Sequence, residues 1–263
     1  MILKKNIDPE NSTDMEEFKI NGKTVRECLL ELQANGNKAF CESLNPGVEN
    51  ILGLRLPDLR KLAQAISKSN WQLYLNTASD YYMEERMLQG LVLGYIKPDD
   101  DIEVYLGRVT RFVRIINSWS VCDVFKFAGS KKYFSVHSDR FWSYLLDFMN
   151  SDKEYEIRFG VVMSLKYFID ESHVQKLLSV FDGISHDGYY VKMAVAWAIS
   201  YCFIDFPEIT LKYLESSSLD KFTYNKAIQK SIESYRVTED YKKILKSIRS
   251  CLLYTSPSPR DCS

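Results

Sequence analysis

Little in this sequence pulls in one direction. Its 263 residues hold 34 Lys or Arg against 35 Asp or Glu, a formal net charge of −1. That excludes a chain drawn to nucleic acid or anionic membrane by its global charge, while leaving room for a locally basic groove. Histidine is scarce: only His137, His173 and His186 occur, none at ligand spacing with a cysteine or with each other. A structural zinc site is therefore not expected. Six cysteines stand at 28, 41, 122, 202, 251 and 262, with no CxxC pair. Their spacing suggests no disulfide framework, and reduced thiols in the cytoplasm are expected. No apolar run approaches the roughly 20 residues that span a bilayer. The opening stretch "MILKKNIDPENSTDMEEF" lacks a long apolar core, so secretion is not indicated.

Glycine (11) and proline (7) are also few. Several of them fall between periodic segments, in "ANGNK", "LNPG", "IKPDDD", "FDGISHDG" and "DFPE". Between them, helix formers dominate from about residue 24 to 250, and alternating strand-like stretches are missing. The reading is all-α, with helices of about 10 to 18 residues in antiparallel pairs. Residues 1–20 read as a polar, frayed segment and 21–250 as one domain. Residues 251–263, "CLLYTSPSPRDCS", carry two Ser-Pro steps and no helical period. They read as a non-native, adapter-like tail and are set aside.

Within the helical region, four segments resemble one another. They are "MEERMLQGLVLGYI" (83–96), "YEIRFGVVMSLKYFI" (155–169), "GYYVKMAVAWAISYCFI" (188–204) and "FTYNKAIQKSIESYRV" (222–237). Each has a cation near its start, then small and apolar residues. Aligned on Arg86, Arg158, Lys192 and Lys226, they are 72, 34 and 34 residues apart. A period of about 35 with two helices per unit fits an α-solenoid, a superhelix of HEAT-like helix pairs with a concave groove. In that frame the four cations form a stripe along the inner face. Small residues beside them (Gly90, Gly94, Gly160, Ala194, Ala196, Ala198) would let helices or a ligand backbone come close.

The unit skipped by the 72-residue gap contains "INSWSVCDVF" (115–124). It is mostly apolar, yet Trp119 and Asp123 stand four residues apart, one helical turn on one face. Asn117 or Ser118 is placed to cap that helix. Trp197 follows Trp119 by 78 residues, two units on, with Arg158 on the helix between. Two indoles, a carboxylate and a guanidinium would thus share the concave surface.

This constellation resembles the AlkD-like DNA alkylation repair family, DNA glycosylases built from HEAT-like repeats. The resemblance runs from "ENILGLRLPDLRKLAQ" (49–64) to "FTYNKAIQKSIESY" (222–235), and rests on "NSWSVCD", "EIRFGVV" and "YYVKMAVAWAIS". It implies excision of N3- and N7-alkylated purines from double-stranded DNA by hydrolysis of the N-glycosidic bond. Asp123 would stabilise the oxocarbenium-like sugar and position water. Trp119 and Trp197 would hold the cationic nucleotide by their ring faces. Arg158 would hold a phosphate, and Arg86, Lys192 and Lys226 would line the DNA. The resemblance implies no metal, no organic cofactor and no flipping of the base into a deep pocket; a monomer is the default for an open groove. Where better-known members carry a basic residue shortly after the second Trp, this chain has Ser200. A catalytically silent HEAT-like scaffold, binding DNA or a protein partner, is the alternative.

Overall fold

The computed structural model describes residues 17–99 and 101–254. The described residues are all-α, with fifteen α-helices and one two-stranded hairpin. The hairpin is the first departure from expectation. Its strands β1 (Lys19–Ile20) and β2 (Lys23–Thr24) flank Asn21 and Gly22, both at positive φ. Asn-Gly is the preferred pair for a two-residue hairpin turn, since both residues tolerate the left-handed region. That signal was in the sequence. The order it brings starts before the boundary drawn at residue 20, and Phe18 is already buried against Tyr74. Residues 1–16 lie outside the described residues. At the other end, α15 (Glu239–Tyr254) runs into the stretch read as a tail; residues 255–263 lie outside the described ones.

Six helices form an inner row in which each packs on the next: α3 (Leu56–Ser67), α5 (Met83–Tyr95), α7 (Trp119–Asp123), α10 (Glu154–Tyr167), α12 (Tyr189–Asp205) and α14 (Lys221–Glu233). Others flank the row, with α6 (Ile102–Val113) on α5, α9 (Ser138–Met149) on α10, α13 (Pro207–Leu214) on α12 and α15 on α14. Sequence explains the division. The flanking α6 buries Tyr105, Leu106, Val109, Phe112 and Val113, one stripe at helical spacing. The inner α10 buries every residue from Ile157 to Ser164, so it is enclosed on nearly all sides. The four repeated segments are inner helices, as the period requires.

Gly90, Gly160 and the alanines lie against neighbouring helices. A Cβ on Gly90 would strike the Phe112 ring of α6, and one on Gly160 would strike Leu145 and Met149 of α9. Ala194, Ala196 and Ala198 of α12 are buried, as is Ala227 of α14. Several helices are shorter than expected: α2 (Lys38–Leu44), α4 (Trp71–Thr77), α7 and α8 (Lys131–Val136) have five to seven residues. No described helix is long and apolar enough to cross a membrane.

The first unit is tied on by two adjacent carboxylates at the start of α5. Glu84 is buried and accepts hydrogen bonds from Leu52 N (3.0 Å), Gly53 N (2.6 Å) and Leu54 N (3.2 Å). The loop can present three amides in succession because Gly53 adopts φ +84, where a Cβ would also collide with Lys38. Glu85 accepts from Arg26 of α1 (Val25–Leu32) at 2.9 and 3.1 Å, from Ser79 Oγ and from Tyr82 N. Burial pushes the Glu85 carboxyl up, but these donors outweigh it and hold it below its ordinary value of 4.5.

Two outcomes follow from these carboxylates. Glu84→Ala leaves three buried amides without an acceptor and should lower stability by about 3 kcal/mol in denaturant unfolding, with Glu84→Gln losing less. For Glu85 the folded pKa is depressed, so its stabilisation is complete above the unfolded value near 4.5 and fades as pH falls through the folded one. Unfolding measured against pH should therefore show a shallower acid limb in Glu85→Gln than in the parent protein.

Candidate functional site

Helix α7 spans only five residues, too few to persist on its own contacts. It is held from all sides. Ser118 caps its start, its Oγ accepting from Val121 N at 3.2 Å. Of the two expected caps it is therefore Ser118 that acts, and Asn117 Oδ1 is buried without a hydrogen-bond partner among the described residues. Two bonds reach across to the end of α2: Trp119 Nε1 donates to Leu44 O (2.9 Å), and Ser120 Oγ donates to Asn45 Oδ1 (2.7 Å). Val121 and Cys122 face inward. After the helix, Phe125 stacks on Phe112 (5.4 Å between ring centroids) and meets Phe159 of α10 at 5.5 Å. Phe127 N and Ala128 N donate to the hydroxyls of Tyr167 and Tyr105. Lys166 closes the far end, donating to Asp123 O (2.8 Å) and Phe125 O (2.9 Å). A cation there complements the partial negative charge of the helix terminus. Residue 166 as a whole is exposed, yet its ammonium sits against the chain, and desolvation lowers its pKa.

The Asp123 side chain meets Arg158 of α10 in a bidentate pair, Nε to Oδ1 at 3.1 Å and Nη2 to Oδ2 at 2.7 Å. Arg158 Nη1 donates to Tyr190 O of α12 at 2.9 Å. The Arg158 side chain is 7% exposed and that of Asp123 17%. Burial works against the guanidinium charge, but the hydrogen bonds and charge of Asp123 more than offset it and raise its pKa. So Arg158 spends three donors inside the chain. It is enclosed, where the sequence reading had set it before a phosphate.

The remaining expected residues lie on the inner row with partners of their own. Trp197 is half-buried on α12, its ring edge-on to Tyr201 at 5.9 Å. Ser200 is buried and donates to Trp197 O, so position 200 faces the packing and not the groove. The four cations do occupy early turns of α5, α10, α12 and α14, yet their settings differ. Arg86 donates to Tyr81 O at 3.4 Å. Lys192 lies 3.4 Å from Asp187 and 3.7 Å from Asp220. Lys226 donates to Gln229 and sits 6.0 Å from the centre of the Phe222 ring. Three of the four are half-buried; Arg158 alone is fully buried.

Sequence reasoning missed Lys166, the carbonyls of Leu44 and Tyr190, and the Asn45 amide. Lys166 carried a weak signal, a second cation two turns past Arg158 on an inner helix. The others act through backbone groups or across 75 residues of chain, which no local pattern marks. Among the described residues, no three His, Cys, Asp or Glu gather as a metal site. A cavity of about 700 Å³ lies between α13 and α11 (Val174–Gly183), lined by Asp182, Lys212 and Tyr213, and not by Trp119, Asp123, Arg158 or Trp197.

In chemical terms, the arrangement offers a fixed carboxylate with lone pairs to spare, since a carboxylate has about four and Arg158 takes two. Half-buried indoles lie on the same inner row. No curated protein matches the chain by sequence. The family model described as DNA alkylation repair enzyme matches residues 3–231, a span that takes in α7, α10 and α12 and every residue of the site. The chain belongs to the DNA alkylation repair enzyme family.

Proposed function

We propose that this protein is a monofunctional DNA glycosylase that releases N3- and N7-alkylated purines from duplex DNA. The observation that carries the reading is the Asp123–Arg158 pair, fixed at the junction of α7, α10 and α12. An alkylated purine of this kind already bears positive charge. When its bond to C1′ breaks, the electron pair leaves with the base, which departs neutral and needs no acid. Charge grows on the deoxyribose instead. Asp123, as a carboxylate, stabilises that oxocarbenium-like centre, and water adds at C1′, its proton passing to Asp123 or to solvent. The products are the free base and an abasic site.

Arg158 acts as a positioning residue. Its planar fork fixes both carboxylate oxygens, and Tyr190 O fixes the fork. Trp119 and Trp197 offer ring faces to the cationic nucleotide, worth about 0.5 to 2 kcal/mol each by ring-quadrupole attraction. Trp119 is suited to this because its indole N–H is already satisfied by Leu44 O. Contacts to phosphate fall to Arg86, Lys192 and Lys226.

Release of free base from duplex containing N7-methylguanine, followed under single-turnover conditions, tests the reading. Asp123→Asn should slow release by on the order of 100-fold or more while DNA affinity holds. Unchanged release in that variant would remove the proposed chemistry. Arg158→Gln separates positioning from phosphate binding. A positioning residue lowers the single-turnover rate and leaves the salt dependence of binding alone. A phosphate contact would instead reduce the slope of log affinity against log salt by about one.

A further inference from the structure

Four aromatic rings run along the starts of α10, α12 and α14, leading away from the Asp123–Arg158 pair. Tyr155 stacks on Tyr190 (5.7 Å between centroids, 29°), Tyr190 meets Tyr189 edge-on (5.3 Å, 80°), and Tyr189 meets Phe222 (5.9 Å, 54°). The row begins at the Asp123–Arg158 pair, because Tyr190 supplies the carbonyl to which Arg158 donates. It becomes more open with distance: Tyr155 and Tyr190 are half-buried, whereas Tyr189 is 56% and Phe222 40% exposed.

Folding does not account for the outer two rings. Each stands in the first turn of its helix, where polar side chains normally face water, and neither fills the core. Cations flank them. Lys192 is one turn on from Tyr189, and Lys226 lies over the Phe222 ring at 6.0 Å. Lys221 is exposed at the start of α14, and Lys230 is near Lys226, whose charge helps to lower the Lys230 pKa after the larger effect of burial. The nearby acids are mostly engaged: Glu154 accepts from Tyr190 N, and Asp220 accepts from Phe222 N and Thr223 N. Asp187 is fully exposed and holds Lys192 only at 3.4 Å. Exposed rings interleaved with the ammonium groups of Lys221, Lys226 and Lys192, the last shared with Asp187 and Asp220, match a chain whose backbone is anionic and whose bases are flat. Paired duplex keeps its bases stacked inside. Only unpaired nucleotides offer both features at once.

We propose that the Tyr155–Tyr190–Tyr189–Phe222 row is a second DNA-binding surface, which stacks unpaired nucleotides of the strand as it leaves the lesion. This rests on the reading of the inner row as a DNA groove. The surface selects DNA whose helix is already interrupted beside the damage, such as a bulge or a gap.

Fluorescence anisotropy on labelled oligonucleotides tests it. The probes are a fully paired duplex and the same duplex carrying a short thymine bulge, and the readout is the ratio of their Kd values. The full-length protein should favour the bulged duplex by about tenfold, the size of effect that ring stacking gives to unpaired bases. In the Tyr189→Ala/Phe222→Ala double variant that ratio should fall toward one. A general loss of folding would instead weaken both affinities and leave the ratio intact, which overturns the proposal, as does a parent protein without preference. Base release from paired N7-methylguanine duplex is scored separately. Release without a bulge preference sinks the stacking surface and leaves the glycosylase reading standing; no release and no DNA binding sinks both.

Discussion

A single guanidinium sets the geometry on which the rest depends. Enclosing a charge between helices costs several kcal/mol unless its donors are matched. Arg158 is matched only if α7 and α12 both stand in register with α10, because Asp123 comes from one and Tyr190 O from the other. A slip of one residue in either helix would leave a buried charge unpaired. The same requirement that makes the pair costly therefore fixes three successive inner helices against each other, and with them the only carboxylate on α7. The position of Asp123 is a consequence of how the solenoid closes at this point.

The repeat explains why such a site fits on this scaffold. The inner helices α5, α10, α12 and α14 each offer a cation in their early turns, and the units differ in what that cation meets. Arg86 meets a backbone carbonyl, Lys192 two loose carboxylates and Lys226 an amide. Only Arg158 meets a carboxylate squarely and is buried with it. The buried ion pair is thus localised by partner and not by position in the repeat. The short α7 makes the difference. A full-length helix in that slot would carry its residues on in the same register. Five residues clamped by Leu44, Asn45, Lys166 and an underlying layer of phenylalanines can be aimed separately.

Much of this was legible in the chain. The period of about 35 located the inner helices, and the i, i+4 spacing of Trp119 and Asp123 did put them at the two ends of one helix. The exposure of Arg158 was misread, because a cation in an amphipathic pattern looks alike whether it faces water or a carboxylate from another unit. Spacing along one helix cannot reveal a partner 35 residues away. The hairpin at Lys19–Thr24 was overlooked for a different reason: its Asn-Gly signal is local and clear, but two-residue strands are too short to alternate. What stayed wholly hidden were the backbone acceptors, Leu44 O and Tyr190 O, since any residue type supplies a carbonyl.

A net charge of −1 remains to be reconciled with a DNA surface. Long-range attraction is weak for such a chain, and part of its local positive charge is spent internally: Arg158 on Asp123, Lys166 on carbonyls, Arg26 on Glu85. On the proposed reading, affinity then has to come from contacts that do not depend on the net charge of the chain. Indoles on the inner row and the rings at the starts of α10, α12 and α14 are of that kind, since stacking and ring-quadrupole attraction act only where a base is displaced or cationic. Undamaged duplex, fully stacked and uncharged at its bases, engages neither. If the proposed function holds, near-neutrality favours discrimination: a protein that holds phosphates lightly is retained only where the base itself supplies the missing attraction.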